Sequence, residues 1–167
     1  MQSSIIKPAR TWDSFRETLV KVLAITNPKA VFEYGPGEST KIIATYPSVE
    51  IVDSVEHDMA WFEKHRWTMP DNVVITHQPI MEAYPDSLGR LSKYDLIFVD
   101  GRERETCLFV AKVRLNDGGV VILHDAERPA YQDIINTYKY KFFTDNGNTC
   151  TMTDNDVTAM RLEALYD

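Results

Sequence analysis

The residues best suited to chemistry sit in one short stretch, Glu33-Tyr34-Gly35-Pro36-Gly37-Glu38-Ser39-Thr40. It reads as an E-x-G-x-G-x-S-T loop between a strand and a helix. Glycines there let the backbone turn tightly and approach a ligand closely, and the helix that follows presents unpaired N–H groups. Glu56 lies roughly 20 residues further on, at the end of the next strand, where a carboxylate can accept both hydroxyls of a ribose. An adenosine-containing ligand fits this spacing.

Two such ligands compete. A dinucleotide fingerprint wants G-x-G-x-x-G, because pyrophosphate sits tight against the helix, and here Thr40 holds the third glycine position. An acidic Glu33 would also face phosphates badly, whereas a carboxylate suits the ammonium of a methionine moiety. The pattern therefore favours S-adenosylmethionine over NAD.

Further polar groups follow two later apolar runs: Val99-Asp100-Gly101-Arg102-Glu103-Arg104 and Leu123-His124-Asp125-Ala126-Glu127-Arg128. His124 or Asp125 could serve as general base for a hydroxyl or amine acceptor, His being the better base near neutral pH. Arg102, Arg104 and Arg128 could bind an anionic acceptor. Interleaved Glu103, Glu105 and Glu127 favour ordinary surface ion pairs instead.

These residues need a scaffold that brings strand ends together. Short apolar runs alternate with amphipathic segments, as in α/β folds. Strands are expected at Ala30–Tyr34, Glu50–Val55, Val73–Thr76, Tyr94–Asp100 and Val120–Leu123. The run from Tyr94 reads as a central parallel strand, being apolar throughout. Ser14 is expected to open a helix through a capping box with Glu17, with Phe15, Leu19, Val22 and Leu23 on one face. Helices are further expected over Ser39–Tyr46, Met59–His65 and Thr106–Leu115, and from Pro129 through Tyr138. Gly118-Gly119 reads as a turn. The tail, Tyr140–Thr144, Asp145-Asn146-Gly147-Asn148 and Thr149–Thr153, reads as an antiparallel hairpin; Val157–Leu162 fits a strand or a short helix. The sum is a Rossmann-like, doubly wound, mostly parallel sheet with helices on both faces. Its carboxyl strand ends, where such sheets bind ligands, carry Glu33, Glu56-His57, His77-Gln78, Asp100-Gly101 and His124-Asp125.

The loop, Glu56 and the segments Tyr94–Gly101 and Gly118–Asp125 resemble class I S-adenosylmethionine-dependent methyltransferases, small O-methyltransferases in particular, over about Val31 to Asp125. The resemblance implies S-adenosylmethionine as cofactor. Glu33, Gly35 and Gly37 would line its methionine end, with Ser39 and Thr40 close by. Glu56 would hold the ribose, His57 would lie near ribose or adenine, and Gln78 near adenine. Asp100, with Gly101 after it, would lie near the sulfonium and the acceptor. Some relatives hold a divalent metal with carboxylates at these two strand ends. This chain has His124-Asp125 where catechol-type enzymes have Asp-Asn, so a metal is admitted but not favoured, and no metal ligand is assigned.

The chain's 167 residues suit one domain, spanning 1–167. A formal charge of -7 disfavours nucleic-acid binding, as does the lack of an N/D-P-P-Y/F signature for base methylation. Two well-separated cysteines suit a reducing compartment. No membrane-length apolar run or signal layout is present, so the default location is the cytoplasm. The expected function is methyl transfer to a small-molecule or polymer-terminal acceptor, on oxygen. The alternatives are a non-catalytic S-adenosylmethionine-binding module of a larger complex and, behind it, an NAD-dependent oxidoreductase. Only Met1–Ile25 and Gln78–Ser92 are available as a lid, which suggests an open site, a macromolecular acceptor, or a homo-oligomer that completes the site.

Overall fold

The computed structural model describes residues 12–87 and 89–167. Seven strands form one sheet in the order β3-β2-β1-β4-β5-β7-β6: β1 Ala30–Tyr34, β2 Ile51–Glu56, β3 Val73–His77, β4 Tyr94–Val99, β5 Leu115–His124, β6 Tyr140–Thr144 and β7 Thr149–Thr153. The first five are parallel, and β7 runs antiparallel to both β5 and β6. The order reverses between β1 and β4, which makes their carboxyl ends the crevice of the sheet.

Alternation along the central strands builds two cores. Phe32, Tyr34, Ile97, Val99, Val121 and Leu123 face one side, under α4 (Arg104–Val113) and α5 (Gln132–Ile135). Val31, Leu96, Phe98, Val120 and Ile122 face the other, under α1 (Trp12–Thr26), α2 (Glu38–Ala44) and α6 (Asp156–Leu162). The remaining helix, α3 (Met59–His65), packs beside β2 and β3. The apolar stripe of α1 buries Phe15, Leu19, Val22 and Leu23 as its spacing predicts.

Three local expectations need correction, and one open alternative is decided. Ser14 does not cap α1: it lies inside the helix, and its hydroxyl donates to Asp145 Oδ1 at 2.5 Å. Gly118-Gly119 is not a turn but part of β5, where Gly118 (φ +78) marks a register shift against β4. The helix expected from Pro129 to Tyr138 is a 3-10 turn, 129–131, followed by the single α-turn of α5. Its stop leaves Tyr138 to donate its hydroxyl to the Leu108 carbonyl across the core, at 2.8 Å. The segment at Val157–Leu162 is helical, because Asn155 caps α6 by accepting from the Thr158 N–H. Among the described residues, no helix is long and apolar enough to cross a membrane.

Candidate active site

The loop after β1 is held from below. Glu33 is fully buried. Its Oε1 accepts from Ser39 (2.7 Å), and its Oε2 from Thr40 (2.6 Å) and Ser54 (2.5 Å). Thr40 Oγ1 in turn accepts the Gly37 N–H at 2.8 Å. Burial pushes the Glu33 carboxyl up to about 7, against the pull of the Ser54, Thr40 and Ser39 hydroxyls. Glu33 and Thr40 therefore fix the loop's shape and do not line the space above it. Gly35 is left-handed (φ +88), and a Cβ there would meet the Gly101 backbone at 2.9 Å. Gly37 differs, since a Cβ there would meet nothing within 4 Å.

The end of β2 supplies the second wall. Glu56 is 4% exposed, and its Oε1 accepts the N–H groups of His57 (2.7 Å) and Asp58 (2.8 Å). These bonds set the carboxylate's orientation, while Oε2 makes no hydrogen bond to any described residue. Asp58 caps α3 by accepting from the Trp61 N–H, and the Trp61 indole N–H reaches back to the Pro36 carbonyl at 2.6 Å. α3 is thus pinned onto the glycine loop. Gln78 donates its backbone N–H to the Glu56 carbonyl at 2.8 Å, and its side chain does not line the cavity.

The third wall is the end of β4. Asp100 Oδ1 lies 3.1 Å from both Arg104 Nη2 and His124 Nδ1. The second ring nitrogen of His124, Nε2, lies 3.1 Å from the Asn148 side-chain amide. With Nδ1–H donating to Asp100 and Nε2 accepting from Asn148, both ring nitrogens are engaged. Burial alone would lower the His124 pKa, but the hydrogen bond and charge of Asp100, with the charge of Asp125, carry it above the ordinary value. Asp125 takes Arg104 (3.2 Å) and Arg128 (2.6 Å) on Oδ2. His124 and Asp125 therefore stand behind Asp100, outside the cavity wall.

Seven of the expected site residues, Gly35, Gly37, Ser39, Glu56, His57, Asp100 and Gly101, line one cavity of about 650 Å³. Glu33, Thr40, Gln78, His124 and Asp125 do not. Trp12, Trp61, Lys64, Arg102 and Arg104 also stand in the wall. Helical spacing on α3 groups Trp61 with Lys64 and could have signalled the pair; nothing in the sequence places Trp12 there.

No protein-family model and no curated protein matches the sequence. Solved structures do. A methyltransferase-like protein from Silicibacter pomeroyi superposes with a TM-score of 0.62 at 18% identity, over 89% of this chain and 92% of its own. The N-methyltransferase NodS from Bradyrhizobium japonicum, in complex with S-adenosyl-L-homocysteine, gives 0.58 at 13% identity over 89% and 91%. Spermidine synthase from Thermotoga maritima gives 0.64 at 17% identity, over 89% of this chain and 61% of its own. The chain has the class I methyltransferase fold, and the third structure is named for a synthase on that same fold.

Proposed function

We propose that this protein binds S-adenosylmethionine in the cavity at the ends of β1, β2 and β4 and transfers its methyl group to a small-molecule or polymer-terminal acceptor, on oxygen. The observation that carries the reading is Glu56. One of its oxygens is fixed by two backbone N–H groups, and the other has no hydrogen-bond partner among the described residues, in the wall of the cavity beside the glycine loop. That is a pre-oriented acceptor for vicinal ribose hydroxyls. The open face of Gly37 leaves room for the methionine moiety against the loop.

Methyl transfer from a sulfonium is an in-line displacement on an activated centre, so holding donor and acceptor in line supplies much of the rate. Asp100 is the carboxylate in the cavity wall beside the ends of β4 and β5, oriented from behind by Arg104 and His124. In this reading it aims the acceptor's O–H and takes its proton as the new C–O bond forms and the sulfonium's C–S bond breaks, leaving S-adenosylhomocysteine. His124 acts as a positioning residue through Asp100 rather than as a base, since both its ring nitrogens are occupied. Of the three arginines suited to an anionic acceptor, Arg104 and Arg128 are committed to carboxylates, while Arg102 lines the cavity.

Calorimetry with S-adenosylmethionine and S-adenosylhomocysteine tests the donor. Wild type is expected to bind both with micromolar Kd, and Glu56→Ala to lose at least about tenfold. A folded wild type that binds neither overturns the reading. Donor binding with no labelled product across an acceptor screen would instead favour the donor-binding module.

A further inference from the structure

Arg104 opens α4 and sits between the ends of β4 and β5, with its side chain 11% exposed. A guanidinium has five N–H donors, and each of these has a target. Nε donates to the Gly101 carbonyl at 3.0 Å. Nη1 reaches the His124 carbonyl at 2.6 Å and Asp125 Oδ2 at 3.2 Å. Nη2 reaches the Asp100 carbonyl and Asp100 Oδ1, both at 3.1 Å. Three of the five oxygens belong to the main chain of the two strand ends, so the side chain ties β4 to β5 as well as neutralising carboxylates.

The same corner gathers ligands that would otherwise suit a divalent cation. Atoms of Asp100, His124 and Asp125 lie within 4.8 Å of one another, and one nitrogen with two carboxylates is a workable donor set. Yet Arg104 already holds one oxygen of each aspartate, Asp100 Oδ1 and Asp125 Oδ2, so its positive charge lies between the two carboxylates a cation would need. The two aspartates are already balanced by Arg104 and Arg128. A guanidinium does not lose its proton, so it cannot make room by neutralising. It can only swing out, giving up all five contacts. The metal that the fold's relatives admit therefore does not fit this cluster.

We propose that Arg104 is a built-in cation that stands in the place of a divalent metal, clamps the ends of β4 and β5, and closes the Asp100–His124–Asp125 cluster to metal ions. Two consequences follow. Acceptor activation at this corner falls to Asp100 and to positioning. Arg104 itself is unavailable to an anionic acceptor.

The test titrates the full chain, stripped with chelator, with Mn²⁺ and reads free ion by electron paramagnetic resonance. It involves no methyl donor, so its failure and a failure of the donor reading are separate events. Wild type is expected to leave the Mn²⁺ signal unchanged. Arg104→Ala, shown folded by circular dichroism, is expected to bind Mn²⁺ at least about tenfold more tightly than wild type, and Arg104→Ala/Asp125→Asn to lose that gain. Should Arg104→Ala fail to fold, Arg104→Gln, neutral but still a donor, takes its place. Uptake by wild type that Asp125→Asn abolishes would overturn the proposal, because the metal would then displace the arginine. Folded Arg104→Ala and Arg104→Gln that both ignore Mn²⁺ would overturn it as well, because something other than the arginine would be excluding the ion.

Discussion

At the scale of single residues, Glu33 shows how one side chain sets both a loop and a pH response. The sequence displayed its carboxylate beside the glycines and suggested a ligand contact. What it did not display is that Ser39, Thr40 and Ser54, from α2 and β2, converge on it, since their convergence depends on how the two elements pack. The sign of the pH effect follows from the direction of the shift. Glu33 ionises near 4.5 when unfolded and near 7 when folded. Below the lower value both states are protonated and nothing is lost. Between the two the folded state alone keeps the proton, and above the upper value it holds a buried carboxylate at full cost. Stability attributable to Glu33 therefore falls as pH rises through this window, by about 3 kcal/mol. Glu33→Gln should flatten the dependence, seen as urea midpoints that change little between about pH 5 and pH 7. An undiminished drop in the variant would place the effect elsewhere. His124 acts in the same sense at higher pH: its folded pKa is raised, so its contribution is complete below the ordinary histidine value and is lost as pH rises through the folded one.

At the scale of elements, two glycines of one loop separate folding from binding. Gly35 is left-handed, and a Cβ there would lie 2.9 Å from Gly101 Cα and 3.0 Å from its N. Both are backbone atoms at the end of β4 and cannot swing aside. Gly35→Ala should cost about 2 kcal/mol or more, from the left-handed backbone and the collision together. Gly37 has φ -170, extended backbone open to any residue, with empty space around a Cβ. Gly37→Ala should leave the urea midpoint within about 0.5 kcal/mol of wild type while weakening S-adenosylmethionine in calorimetry. A stable Gly37→Ala that binds normally would remove the loop from the donor site. Both glycines were legible as a motif; their different duties were not, because these depend on how closely β4 passes. The other elements divide in the same way. The runs of β1, β4 and the β6–β7 hairpin were plain, since short apolar runs and the Asn-Gly turn are local. The shift in β5 at Gly118 and the early end of α5 were hidden, since pairing with β4 and packing against α4 decide them.

At the scale of the whole molecule, the strand order and the two cores make a cooperative body whose integrity two cysteines can report. Cys107 sits on α4 and Cys150 on β7; both are free and fully buried, and both belong to the core cluster on one face of the sheet. Burial pushes the Cys150 thiol up to about 12 and raises Cys107 as well. The thiolate is the reactive form, so neither should react with a disulfide reagent near pH 8 in the native state, however long its isolated chemistry would take. Reaction requires opening, and the two sites sample different openings. Cys107 needs α4 to lift from the centre of the sheet. Cys150 needs only the antiparallel hairpin, β6 and β7, to part from β5, where four residue pairs hold it. That hairpin also carries Asn148, which meets His124, and is joined to α1 through Ser14 and Asp145. These ties couple it to the strand ends and to the first helix, so it should not open alone. Native-state labelling followed by mass spectrometry is expected to show both cysteines modified at one rate, equal to that predicted from global unfolding in urea. Faster labelling of Cys150 would show that the hairpin opens as its own unit, and would loosen the support of His124 and Asp100 that the proposed site depends on.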